Sequence, residues 1–239
     1  LLSPLTTNGS FSIASGASVD VSASNYSLTV KKNLTNNGSL NTRSGLVLLN
    51  GTASQNIGGS SVTDFYDLTL NNNSGAILTG AENLVGTLSL NNGAFNTNSQ
   101  IFTMVSTATA TARIAQITGS GDITGNVTVQ RYLPGGATGW ALLGNPISSG
   151  LTLSDWDDDV IITCPSCPDG TAAGFTSVYS YNETVTGLYD NPAAYVAASS
   201  ISDALVAGKG YWLYFGNSQY TTTPITLDVT GTVRKFGYS

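Results

Sequence analysis

Four carboxylates crowd one short stretch of the second half of the chain: Asp155, Asp157, Asp158 and Asp159, with Trp156 among them. Several carboxylate oxygens close together suit a hard cation, and calcium is the ion such a loop would take. Asp155-x-Asp157-x-Asp159 imitates the opening of an EF-hand loop. Its sixth position is Val160 where the sharp turn requires Gly, and its twelfth is Ser166 where a bidentate Glu belongs, so an EF-hand is excluded. Two readings stay open, a calcium loop of another kind and a solvated acidic turn.

Catalytic constellations are scarce. The chain has no His, and its only glutamates are Glu82 and Glu183, so serine–histidine and cysteine–histidine nucleophiles in their usual form are absent. A glycosidase needs two positioned carboxylates, which Asp could supply, but catalytic pairs come from different elements across a cleft and these four share one loop. The expectation is a non-catalytic protein.

Cys164 and Cys167 are the only cysteines. Zinc would need further soft or imidazole ligands that the chain lacks, and a thioredoxin-like redox site would need a βαβ pattern around it. In an oxidising exterior the expected state is a local disulfide that stiffens an exposed loop. Tyr211-Trp-Leu-Tyr-Phe215 alternates bulky groups on both faces of a strand. Tyr211, Leu213 and Phe215 can face a core, while Trp212 and Tyr214 must be covered by a loop or left open. If open, they and Trp156 could stack on sugar rings. Trp140 is expected in the core. Thr107-Ala-Thr-Ala-Thr-Ala-Arg113 occurs once, so it does not make the repeated flat array an ice-binding face requires.

The elements that must position these groups are strands. No window has helical spacing, and Gly or Asn interrupts every candidate helix. In the first half one phrase returns: Leu28-Thr-Val-Lys-Lys-Asn33, Leu68-Thr-Leu-Asn-Asn-Asn73 and Leu88-Ser-Leu-Asn-Asn-Gly93, with Leu46-Val-Leu-Leu-Asn-Gly51 as a looser copy. Each is a short alternating strand followed by turn residues. A period of roughly twenty residues fits the 20–50-residue range of stacked repeats. The alternative is a meander with two-residue hairpins at Asn37-Gly38 and Asn92-Gly93. Recurrence of Asn at equivalent places favours stacked corners. The fold class expected is therefore all-β, with a β-solenoid (parallel β-helix-like) module over 1–125. An antiparallel β-sandwich or jelly-roll-like module is expected over 126–239, where Trp, Tyr, Pro and Asp replace the Asn repeats. Strands there are expected at 126–132, 139–143, 177–181, 194–198, 210–215 and 225–233.

The second half also resembles a known group. Val127-Thr-Val-Gln-Arg-Tyr-Leu-Pro134, Gly139-Trp-Ala-Leu-Leu-Gly-Asn-Pro-Ile147, Val178-Tyr-Ser-Tyr-Asn-Glu183, Ala207-Gly-Lys-Gly-Tyr-Trp-Leu-Tyr214 and Leu227-Asp-Val-Thr-Gly-Thr232 are similar to segments of very large Bacteroidetes surface proteins. Gln55-Asn-Ile-Gly58 and Phe65-Tyr-Asp-Leu-Thr-Leu-Asn-Asn72 resemble that group's repeats. The resemblance implies export by the type IX secretion machinery and display on the cell surface or release outside the cell. It also implies a role among gliding-motility and attachment adhesins, and it carries over no catalytic residue.

Composition narrows the partners. Charged residues are 9% of the chain, against about 25% in most soluble domains, and the net charge is −6. No clustered basic face is present, so nucleic acid is not an expected partner. No apolar run reaches the roughly 18 residues of a membrane span. The chain reads as an excised fragment expected to continue past Ser239. Its expected partners are the rest of the same long polypeptide, the secretion machinery during export, and a surface polysaccharide. The readings in order are a stalk or adhesin segment, a carbohydrate-binding module of a secreted enzyme, and a polysaccharide-degrading β-helix.

Overall fold

The computed structural model describes residues 1–134, 139–148, 150–168, 174–187, 190–215 and 224–235. The chain divides into two compact units, Leu1–Gln130 and Arg131–Ser239. Among the described residues no helix is long and apolar enough to cross a membrane.

The first unit is a β-solenoid of about 6 turns. The first coil holds β1 (Leu5–Thr7), β2 (Phe11–Ile13) and β3 (Ser18–Asp20), and the second holds β4 (Leu28–Val30), β5 (Leu34–Asn36) and β6 (Ser39–Asn41). Then come β7 (Leu46–Leu49) with β8 (Gln55–Gly58), β9 (Asp64–Asn71) with β10 (Ala76–Leu78), and β11 (Glu82–Asn92) with β12 (Ala94–Asn96). The last coil carries β13 (Phe102–Met104), β14 (Arg113–Ile114) and β15 (Asp122–Thr124), and β16 (Val127–Leu133) follows. β1, β4, β7, β9, β11 and β13 pair in that order along one wall; β2, β5, β8, β10, β12 and β15 form a second, and β3 with β6 a short third. All these pairs are parallel.

Register explains why the Leu phrases recur. Leu28, Val47, Leu68 and Leu88 lie opposite one another on successive strands, and Val30, Leu49, Leu70 and Leu90 form a second ladder. Both ladders are buried. From the opposite wall, Leu34, Ile57 and Leu78 stack in register and are also buried. One coil cannot bury its own apolar row, so stability comes from stacking, at roughly 1.5–3 kcal/mol for each fully buried Leu or Ile side chain.

Asn defines the corners through side-chain bonds to its own turn. Asn36 Oδ1 accepts the Gly38 N–H at 3.1 Å, Asn41 Oδ1 that of Arg43 at 3.2 Å, Asn72 Oδ1 that of Ser74 at 3.0 Å, and Asn96 Oδ1 that of Asn98 at 2.8 Å. The Asn-Gly pairs are corners of coils and not hairpins. Gly93, with φ +83, sits against the Asn72 carbonyl of the coil below, which leaves no room for a Cβ. The drifting period is real, because side chains bond between coils at separations of 19, 20, 21 and 23 residues. The threonine run forms a local turn in which Ser106 Oγ and Thr111 Oγ1 lie 2.8 Å apart, not a flat array.

In the second unit, β17 (Gly139–Gly144) is followed by a single helical turn, α1 (Ser154–Asp157), then β18 (Val178–Tyr181), β19 (Tyr195–Ala197), β20 (Gly210–Phe215) and β21 (Ile225–Gly231). Four strands form an antiparallel sheet in the order β17-β20-β18-β19. Its inner face carries Leu143, Val178, Tyr211, Leu213 and Phe215, all buried. α1 packs there through Trp156, whose ring meets Tyr211 edge-on at 5.8 Å.

Candidate functional site

The outer face of this sheet is the candidate site. Alternation along β20 turns Tyr211, Leu213 and Phe215 inward, so Trp212 and Tyr214 must point the other way. Directly opposite neighbours share that face: Trp140 faces Tyr214, Leu142 faces Trp212, Tyr179 faces Trp212 and Tyr181 faces Tyr195. Trp140 is 42% exposed, Trp212 36% and Leu142 65%.

The rings support one another. Trp140 lies 5.3 Å from Tyr214, 5.7 Å from Tyr179 and 5.8 Å from Phe175, and Phe175 lies 5.0 Å from Tyr214, while Tyr181 and Tyr195 pair at 5.3 Å. Tilted and edge-on pairs of this kind contribute about 0.5–1.5 kcal/mol each beyond area burial, which fixes ring positions without a ligand. Trp140, Tyr179, Tyr195 and Trp212 surround a shallow depression of about 360 Å³. None of these residues is charged. Such a face offers apolar ring surfaces to whatever lies against it.

Two expectations are overturned. Trp140 is not core: it is 42% exposed on the outer face of β17, which among the described residues has a neighbour strand on one side only. Trp156 is no ligand platform: at 4% exposure it is buried against Tyr211 beneath the opposite face. Trp212 stays open, and Tyr214 is half-buried between the rings of Trp140 and Phe175. Tyr179, Tyr195, Leu142 and Phe175 join the site although sequence reasoning did not single them out. The signal for Tyr179 was the alternation in Val178-Tyr-Ser-Tyr181, which places both tyrosines on one face.

The carboxylates of the acidic stretch take separate backbone partners. The helical turn splays its carboxylates: Asp155 Oδ2 accepts the Thr152 N–H at 2.8 Å, Asp157 Oδ1 the Ile162 N–H at 2.9 Å, and Asp159 Oδ2 the Asp228 N–H at 2.7 Å. Each is thus committed to a separate backbone donor. Burial pushes the Asp159 and Asp228 carboxyls above the usual range, and the charge of Asp158 adds to both. Among the described residues no three acidic or cysteine side chains gather to hold a metal ion.

Cys164 and Cys167 form a disulfide with Cα atoms 5.0 Å apart, and the Cys167 N–H donates to the Cys164 carbonyl at 3.2 Å. Cys164 is wholly buried, so the bridge pins the loop between α1 and β18 into the second unit. Its ring is short, so reduction is expected to cost about 2 kcal/mol on the chain-entropy scale. Thermal unfolding with and without reductant checks this: a fall confined to the second unit is expected, and an unchanged midpoint would assign the bridge no structural weight.

Comparison of the chain with protein-family models, with curated proteins and with solved structures finds no match.

Proposed function

We propose that the chain is a non-catalytic extracellular segment that attaches to polysaccharide through the aromatic face of its second unit, with the solenoid serving as a stiff spacer. The observation that carries this reading is the row of Trp140, Trp212, Tyr179 and Tyr214 on one sheet face, with both tryptophans open. Soluble proteins rarely leave large contiguous apolar patches without a use for them. The absence of charge on the face, with a net charge of −6 on the chain, favours a neutral glycan over an acidic one. The resemblance to Bacteroidetes surface proteins supports an adhesin or stalk role outside the cell and export by the type IX route, with the antiparallel sheet as one layer of a sandwich.

Depletion of the chain from solution by insoluble neutral polysaccharides, followed by a glycan array, tests this. Trp140→Ala and Trp212→Ala are each expected to weaken binding about tenfold, or 1.4 kcal/mol; Tm holds in Trp212→Ala and falls in Trp140→Ala, which also loses three ring contacts. Both side chains are partly open and lie on the outer face, so neither loss empties the buried face of the sheet. If no glycan is retained, the aromatic face has another purpose. Release of reducing sugar by the chain alone, abolished in Asp157→Asn, would instead make it an enzyme.

A further inference from the structure

We propose that β17 is a self-pairing edge, through which two copies of the chain join their antiparallel sheets into one. The hydrogen-bond direction settles which groups face outward. Tyr214 N–H donates to the Ser177 carbonyl at 2.7 Å, so the backbones of Trp212 and Tyr214 face β18. Those of Tyr211, Leu213 and Phe215 then face β17 and bond to their opposite residues Leu143, Ala141 and Gly139. Trp140, Leu142 and Gly144 therefore direct their N–H and C=O groups away from the sheet, along an edge where β17 has no neighbouring strand among the described residues.

Edge strands are usually protected by Lys, Pro, a bulge or a covering segment. The strand Gly139-Trp-Ala-Leu-Leu-Gly144 has no charge and no Pro, and its pairing with β20 runs without a register shift. The strand also complements itself. In an antiparallel pair centred on Leu142, each Leu142 meets its counterpart and each Trp140 meets the counterpart's Gly144. The indole can then lie over a residue with no side chain, an arrangement that compensates for glycine in a strand. The three outward-facing residues supply six backbone donors and acceptors per copy, and all of them find partners in this register. Because the seam carries no charge, the net −6 of each copy does not set like charges against each other there. The two-fold axis stands perpendicular to the sheet, so the aromatic faces of both copies continue across the seam.

Sedimentation velocity of the full chain, from micromolar to millimolar concentration and without any glycan, tests the pairing separately from the proposed ligand. A reversible dimer is expected. Leu142→Lys places two ammonium groups opposite each other and should weaken association about tenfold or more, with Tm unchanged because Leu142 is 65% exposed. Leu142→Cys should crosslink to its own counterpart under mild oxidation, since directly opposite bonded residues have Cα atoms about 5.5 Å apart. Gly144→Cys should not, because it faces position 140. A chain that stays monomeric throughout, a dimer that persists in Leu142→Lys, or equal crosslinking by both cysteine variants would overturn the proposal.

Discussion

Leu88→Ala is expected to destabilise the solenoid unit by roughly 3–5 kcal/mol. Leu88 is fully buried, lies opposite Leu68 on β9 and Ile114 on β14, and sits in the middle of the stack. Truncation removes its transfer free energy and leaves a cavity that the coils above and below cannot fill, because each is held in register by backbone ladders. Phe95→Ala should cost a similar amount, since its ring is buried against Phe102 with centroids 5.0 Å apart. Ser89→Ala is the control: next in sequence, it points to the other face beside Thr69 and should change stability by less than about 0.5 kcal/mol. Urea unfolding of the full chain, followed by far-ultraviolet circular dichroism, measures all three. A loss at Leu88 no larger than at Ser89 would contradict the stacked-ladder core. Nearest-neighbour stacking also predicts that the loss spreads to adjacent coils.

The second large effect is a pH dependence that one residue carries. Glu82 opens β11 with 0% of its surface exposed, among the residues that line the solenoid interior. One oxygen, Oε2, accepts the Thr63 N–H at 2.6 Å; Oε1 has no partner among the described residues. Burial raises the carboxyl from its ordinary 4.5 to about 7, outweighing the Thr63 bond, and the nearby Asp64 charge pushes the same way. In the unfolded chain the group titrates near 4.5 and in the folded chain near 7. Below 4.5 both states are protonated and the full stability is present. Between those values the unfolded chain releases its proton first, so stability falls as pH rises, by up to about 3 kcal/mol. Above the folded value it levels off. Glu82→Gln removes the charge and should flatten the profile over this window, with the larger gain in stability at pH 8. A wild-type slope retained in Glu82→Gln would place the titrating group elsewhere.

Much of this architecture could be read along the chain, because it rests on local rules. Alternation of Leu and Val with Thr and Ser decides which side chains face inward on a strand whatever lies beside it, so the two ladders through Leu28 and Val30 follow from the repeats. Asn at the corners works through bonds to its own backbone, a local effect that composition and spacing reveal. The strands of the second unit, from Gly139–Gly144 to Ile225–Gly231, begin and end close to the expected boundaries because Pro and Gly punctuate them.

The tryptophans were not legible in the same way. Trp156 and Trp140 exchanged roles, the first buried and the second open, because the covering of one large ring depends on elements far away in sequence. Trp156 is buried because a helical turn sets it on Tyr211, some fifty positions later; Trp140 is open because its strand turns it to the outer face of the sheet, with Trp212. The acidic stretch shows the same limit. Its composition permits a cation loop, while the donors that each carboxylate meets are set by the fold: Asp155, Asp157 and Asp159 accept from three separate backbone N–H groups, one of them on β21. By itself the sequence determined the β class, the stacked coils and which residues alternate inward, since those depend on period and turn chemistry. Only the tertiary structure decided which strand became an edge, which aromatic rings gathered on one open face and which carboxyl was left buried with a free oxygen. Those outcomes follow from which strands become neighbours, and strand order is not encoded in any local period.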